Sequence, residues 1–370
     1  LGGFLPMPKA DAAALAGLDM SAAAAGAGNA FTATADDPSA MFYNPAGLAW
    51  QPGVNLAFSG VLRSRDQSVQ QSAALGTPFN SQDMANLSGL YGNWMPTGSD
   101  WGIGFALDLP YALNSGWENA FGGAAKRTTI DVLHTAVDVV YALNSSLAVA
   151  TGVDWYVAQG DINSATTTFN GTDNATFGGH VSVLWHPRPA WSFGALLRSG
   201  ATLNLSGTAT GAVSGGAKVN VPLPDVLRIG AMHVFSDAVR LEVDASWSRW
   251  SSLNDLDVVG TTSERNALNM GDSFSLMTGL TWFLGEGVLF RFGYTFDQAA
   301  SKDTAFNARI VDATAHRLSL GAGGDMFGVN LNLAYVYAYA PSRTITGSGA
   351  FDGKYRTGQQ SLALSIVKHF

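Results

Sequence analysis

From Val54 to Phe370 the chain alternates with period two, and one of its two faces is apolar and often aromatic. In residues 288–296 one face carries Val288, Phe290, Phe292, Tyr294 and Phe296, while Arg291, Gly293 and Thr295 fall on the other. The same rhythm gives Phe274, Leu276, Thr278, Leu280, Trp282 and Leu284. It recurs in Leu331, Leu333, Tyr335, Tyr337 and Tyr339, and in Leu362, Leu364, Ile366, Lys368 and Phe370 set against Ser361, Ala363, Ser365, Val367 and His369. A water-soluble sandwich also alternates, but it needs a charged exterior. Only 13% of these residues are charged, against about 25% in a typical soluble domain. No run of about 18 apolar residues exists, so no segment reads as a transmembrane helix. The other way to carry backbone through hydrocarbon is a closed β-barrel, where strands pair every N–H and C=O. The fold class expected is all-β: a transmembrane antiparallel barrel.

Counting alternating segments gives about fourteen strands, from one centred near Phe58 to one centred near Leu364. Short turns fall at 96–100, 144–145, 186–189, 236–237, 285–287 and 326–328. Long polar connections are expected at 64–85, 114–126, 160–174, 206–216, 252–271, 298–312 and 341–358. Short turns on one side and long loops on the other are the periplasmic and extracellular ends of an outer-membrane barrel. An even strand count places both termini at the periplasm, and Phe370 fits the terminal aromatic of such proteins.

The absence of Cys excludes thiolate metal sites, disulfides and a Cys nucleophile. A net charge of −8 argues against a nucleic-acid partner. The six His are scattered, with no paired-ligand spacing, so no metal and no cofactor are expected. His134 and Asp138 share a strand face but lie about 13 Å apart, too far to pair, and Gly-x-Ser-x-Gly is absent. These features predict that the protein is not an enzyme.

Residues 1–51 do not alternate. Gly26, Gly28 and Asn29, then Asp37-Pro38 and Asn44-Pro45-Ala46-Gly47, supply turn chemistry for a compact unit in a confined space. This segment resembles the N-terminal hatch of FadL-type outer-membrane channels. Leu223-Pro224-Asp225, Trp247-Ser248-Arg249-Trp250 and His316-Arg317-Leu318 resemble later family segments in the same order. The resemblance implies a fourteen-stranded barrel of residues 52–370 with residues 1–51 as a plug in its lumen. It implies a bacterial outer membrane location and passive uptake of long-chain fatty acids or hydrocarbons. The chain is shorter than the long fatty-acid transporters, and the alternative is a general porin for small polar solutes. The partners expected are a hydrophobic small molecule, the lipid bilayer and lipopolysaccharide, with the protein as a monomer and no nucleic acid bound.

Gly28, Asn29, Asn44, Pro45 and Ala46 are the plug motif. Leu1, Phe4, Leu5 and Met7 form an apolar tail that either touches ligand in the lumen or packs on the wall. Arg198, Arg228, Arg291, Arg317, Glu242 and Asp244 fall on the inward face. They either form a structural charge network, or Arg198, Arg291 or Arg317 binds a ligand carboxylate through the guanidinium fork. Strand three, Trp101 to Tyr111, holds Gly102, Gly104, Asp108 and Pro110. Proline cannot donate to a ladder, so the strand either ends there or breaks the wall. The family resemblance supports a break through which ligand leaves sideways into the membrane, near Asp108 to Leu113.

Overall fold

The computed structural model of the chain describes residues 16–71, 78–117, 119–285 and 287–370. Fourteen strands form the barrel wall. They are β1 (Gly53–Gln71), β2 (Phe79–Met95), β3 (Trp101–Gly116), β4 (Arg127–Asn144), β5 (Leu147–Asn163), β6 (Thr167–Arg188) and β7 (Trp191–Arg198). Then follow β8 (Val226–Ser236), β9 (Val239–Ser248), β10 (Ser273–Gly285), β11 (Val288–Asp297), β12 (Ala315–Met326), β13 (Val329–Tyr339) and β14 (Gly353–His369). Each pairs antiparallel with its neighbour in sequence. The ring closes where β14 meets β1, from Asn55↔His369 to Gln71↔Gly353.

The period-two pattern sets which face is which. On β3, Trp101, Ile103, Phe105 and Leu107 are exposed, while Gly102, Gly104, Ala106 and Asp108 are buried. Large apolar side chains point outward all around the wall, among them Phe58, Val153, Phe177, Ile229 and Leu318, each at least half exposed. In water such a surface would aggregate; in hydrocarbon it is the solvated face. The short turns lie where the sequence places them. At the turn after β12, Phe327 (φ 53°) and Gly328 (φ 75°) take the left-handed region that a tight reversal needs.

Several expected loops are strand instead. β1 runs to Gln71, β5 and β6 are separated only by 164–166, and residues 202–222 form a hairpin of Thr202–Gly211 with Gly215–Pro222 that pairs with the upper part of β6. Residues 353–358 begin β14. These stretches are rich in Thr, Ser, Asn, Gln and Gly. Above the membrane a strand has water on its outer face, so its alternation is polar against small, and polarity there does not signal a loop.

Residues 16–51 lie inside the ring. They form a helix Ala22–Gly26, a helix Ala40–Tyr43 and a 3-10 helix Pro45–Trp50. Ser21 caps the first, its Oγ accepting from the Ala24 N–H at 3.2 Å. Nearly every one of these residues is buried. Strand glycines receive the segment: a Cβ on Gly293 of β11 would strike the backbone of Ala27 and Gly28, and one on Gly194 of β7 would strike the Thr32 carbonyl.

Candidate functional site

The wall is not uniformly paired. β1 and β2 stay in register from Gly53↔Met95 to Val69↔Phe79. The ladder of β2 with β3 covers only Trp94↔Ile103 to Gly89↔Asp108. On its other side β3 stays paired with β4 up to Gly116↔Arg127, through a bulge between Asp108 and Tyr111. Among the described residues, therefore, 82–88 of β2 and 109–115 of β3 share no ladder. Above it the Gly116 N–H donates to Ser81 Oγ at 3.3 Å. The stretch without a β2–β3 ladder is about 20 Å long at the usual strand rise.

Pro110 sits at the start of this stretch. It has no N–H to offer β2, and its carbonyl turns inward to accept from the Gly17 N–H at 2.8 Å. Ala16 bridges to Tyr111 beside it. Gly102 and Gly104 lie lower, in the paired half, where their missing side chains leave room for Met95, and for Met41 and Leu48, respectively.

A cavity opens behind the bulge. It is bounded by Gly17, Leu18 and Phe42 of the N-terminal segment, by Pro110 and Tyr111, and by Arg198 of β7 and Arg228 of β8. Ser246, Ser248, Ser273 and Ser275 line it opposite. The Arg228 guanidinium lies 5.0 Å from the Phe42 ring centre and 5.4 Å from that of Tyr43. Its Nη1 is buried and, among the described residues, has no hydrogen-bond partner. The Arg198 guanidinium lies 5.6 Å from the same Phe42 ring centre, and its Nε is 3.5 Å from Asp154. The cavity is small, about 30 Å³. A buried donor left unmade costs about 1–3 kcal/mol, so this cavity favours a single anionic oxygen near Arg228.

Of the other inward arginines, Arg291 donates to Asn332 at 2.7 Å and Arg317 pairs with Asp19 at 2.5 Å, and neither lines this cavity. Leu1, Phe4, Leu5 and Met7 lie outside the described residues. Asn44 is buried and holds a three-way junction. Its Nδ2 donates to the Thr32 carbonyl at 2.7 Å and the Val183 carbonyl at 3.0 Å, and its Oδ1 accepts from the Ala46 N–H at 3.2 Å. Pro45 opens the 3-10 helix that Asn44 caps. Asn29 (φ 62°) donates to Asp19 at 2.8 Å, and the Gly28 carbonyl accepts from Thr295 Oγ1 at 2.6 Å. Asp244 accepts from the Phe31 and Thr32 N–H groups at 2.9 and 2.8 Å, and Glu242 from those of Ala33 and Thr34 at 2.6 and 3.3 Å. Burial first, then the neighbouring Asp36, pushes the Asp37 carboxyl up from its ordinary value.

One constellation is invisible along the sequence. Asp108 of β3 meets Nδ1 of His134 on β4 at 2.7 Å, and the ring's Nε2 meets Asp154 of β5 at 2.8 Å. The second oxygen of Asp154 meets Nδ1 of His180 on β6 at 3.0 Å, and that ring's Nε2 meets Asp138 of β4 at 2.7 Å. All five side chains are buried. His134 and Asp138 are thus joined through neighbouring strands rather than to each other. Only the cross-strand register brings the partners together: Asp108↔His134, His134↔Tyr156 and Gly152↔His180 are facing pairs.

Comparison with known proteins agrees with this architecture. The sequence profile described as outer membrane protein transport protein (OMPP1/FadL/TodX) matches residues 7–364. Outer membrane protein P1 of Haemophilus influenzae is 27% identical over 130 residues, which is 34% of this chain and 28% of that protein. A FadL homologue of Pseudomonas aeruginosa has the same fold, with a TM-score of 0.86 at 17% identity, covering 97% of this chain and 100% of that one. The toluene transporter TodX of Pseudomonas putida superposes with a TM-score of 0.75 at 14% identity, covering 98% of this chain and 100% of that one.

Proposed function

Because this chain belongs to the outer membrane protein transport family (OMPP1/FadL/TodX), we propose that it carries hydrophobic molecules inward across the outer membrane, passively, and releases them through the side of its wall. The N-terminal segment acts as the plug, and the small cavity against it, about 30 Å³, takes the polar head of the ligand. The observation that carries this reading is the stretch of β3 from 109 to 115, which has no ladder with β2 and whose first residues, Pro110 and Tyr111, also line the cavity. A molecule held there stands one strand away from hydrocarbon. Leaving sideways keeps its apolar surface out of periplasmic water, which favours that route by about 0.8 kcal/mol per CH₂.

The cavity's two arginines favour an amphipath with an acidic head, such as a fatty acid, over a neutral hydrocarbon. The protein works as a single copy in the bilayer beside lipopolysaccharide, and it moves its ligand without altering it.

The chain has no cysteine, so a pair introduced at Asn86 of β2 and Ala112 of β3 reacts alone. Closing the wall there with a short thiol cross-linker should reduce uptake of a fluorescent fatty acid into liposomes at least tenfold, and cleaving the linker should restore it. Undiminished uptake by the cross-linked, heat-modifiable protein would place the exit at the periplasmic mouth. Uptake of small sugars at a comparable rate would make the protein a porin.

A further inference from the structure

The line Asp108–His134–Asp154–His180–Asp138 runs along the inner wall from the bulge to Asp138 of β4, and Arg198 at the cavity stands beside its middle member, Asp154. Its hydrogen bonding sets a proton count. A neutral imidazole has one N–H donor and one lone pair, and an ionised carboxylate only accepts. Here both nitrogens of both rings face carboxylate oxygens, at 2.7 to 3.1 Å. Each ring therefore needs one proton beyond its neutral form, on the nitrogen or on the facing carboxyl. Without it, a lone pair would face an oxygen across a buried contact, and the line would part at that point.

What the line holds is strand β3. Asp108 is the last residue of β3 in ladder with β2. Its carboxylate reaches the other way, to His134 on β4. Just above, the plug's Gly17 draws the Pro110 carbonyl inward. Both contacts tie β3 to β4 and to the N-terminal segment at the foot of the stretch that has no ladder with β2, where strand backbone at membrane depth tends to complete its ladder. We propose that the imidazole–carboxylate line is a proton-dependent stay. While protonated it keeps residues 109–115 of β3 away from 82–88 of β2; when a ring loses its extra proton, β3 swings back and the wall closes. The consequence for uptake rests on the side-exit reading above.

The other ionisable groups around the line are phenols and guanidiniums. Tyr91 of β2 stands beside Asp108. Tyr156 of β5 stacks on His134 at 5.0 Å, and Tyr111 of β3 lies 6.4 Å from Tyr156. Phenols ordinarily titrate near 10. Arg198 and Arg228, from β7 and β8, keep their charge throughout. From the plug, the Met41 carbonyl accepts from Arg198 at 3.5 Å.

The test is a distance. Spin labels on cysteines at Ala112 of β3 and Leu276 of β10 report across the barrel in liposomes by pulsed dipolar spectroscopy. Between about pH 5.5 and pH 9 the distance should lengthen by several ångström as β3 moves out to the wall. His134→Gln should show the long distance at every pH, and Asp138→Asn, at the far end, should shift the midpoint while keeping the transition. All variants are first shown to fold by heat-modifiability on a gel. A distance that does not move with pH, or a His134→Gln protein that titrates like wild type, overturns the stay. Fatty-acid uptake measured on the same samples should fall as the distance lengthens. A distance that moves while uptake stays constant upholds the stay and removes the side exit instead.

Discussion

At Arg228 a guanidinium is buried between aromatic rings with a donor to spare. That arrangement predicts a ligand preference. A fatty acid should bind at least tenfold more tightly than its methyl ester, and Arg228→Met should weaken the acid by about 1.5–3 kcal/mol, the worth of a charged hydrogen bond, while leaving the ester unchanged. Titration calorimetry with the two ligands checks it, and equal affinity for acid and ester would favour a neutral hydrocarbon as cargo. Alternation alone shows that Arg198, Arg228, Arg291 and Arg317 point inward. It does not show which of them face free space. Arg291 is engaged by Asn332 of β13, a matter of cross-strand register, and Arg317 by Asp19, which is placed by how the N-terminal segment folds, with no period to read. His134 shows the same limit. Its distance from Asp138 along one strand can be computed, but its partners Asp108 and Asp154 come from register, which the sequence specifies only through the finished barrel.

Among the elements, β9 holds the plug by its acidic pair. Four backbone N–H groups of residues 31–34 end on Asp244 and Glu242. Asp244→Ala strands two of them and should cost about 2–4 kcal/mol of docking, read as faster hydrogen exchange and protease cleavage near Thr32. Asp244→Asn keeps an acceptor and should stay close to wild type; equal loosening in both variants would show that charge matters more than the hydrogen bonds. The strands themselves were legible because lipid imposes a strict apolar rhythm on their outer faces. Their upper ends were not. Above the membrane the rhythm passes into Thr, Asn and Gly, as in Thr202–Gly211, and looks like connection. That β3 has no N–H to offer β2 at Pro110 was legible, since a missing N–H is a local fact; that the strand continues through it to Gly116 was not. How far it extends along β2 was not.

For the molecule as a whole, the wall encloses residues 16–51, held at many points, and on the plug reading ionic conductance in planar bilayers should be low. Deleting the residues up to Gly47 should raise it several-fold, and an intact protein that already conducts like an open pore would contradict the arrangement. The seam deserves a last consequence. β1 and β14 pair residues more than 280 positions apart, the longest closure in the chain and the one whose entropy is lost only when every other strand is in place. Ser365 of β14 shares a hydrogen bond with Ser59 of β1 at 2.7 Å and accepts from the Ala22 N–H of the plug at 2.7 Å. The plug's first helix is therefore fastened at the suture line itself. The seat of that helix is complete only once the two ends of the sheet have met.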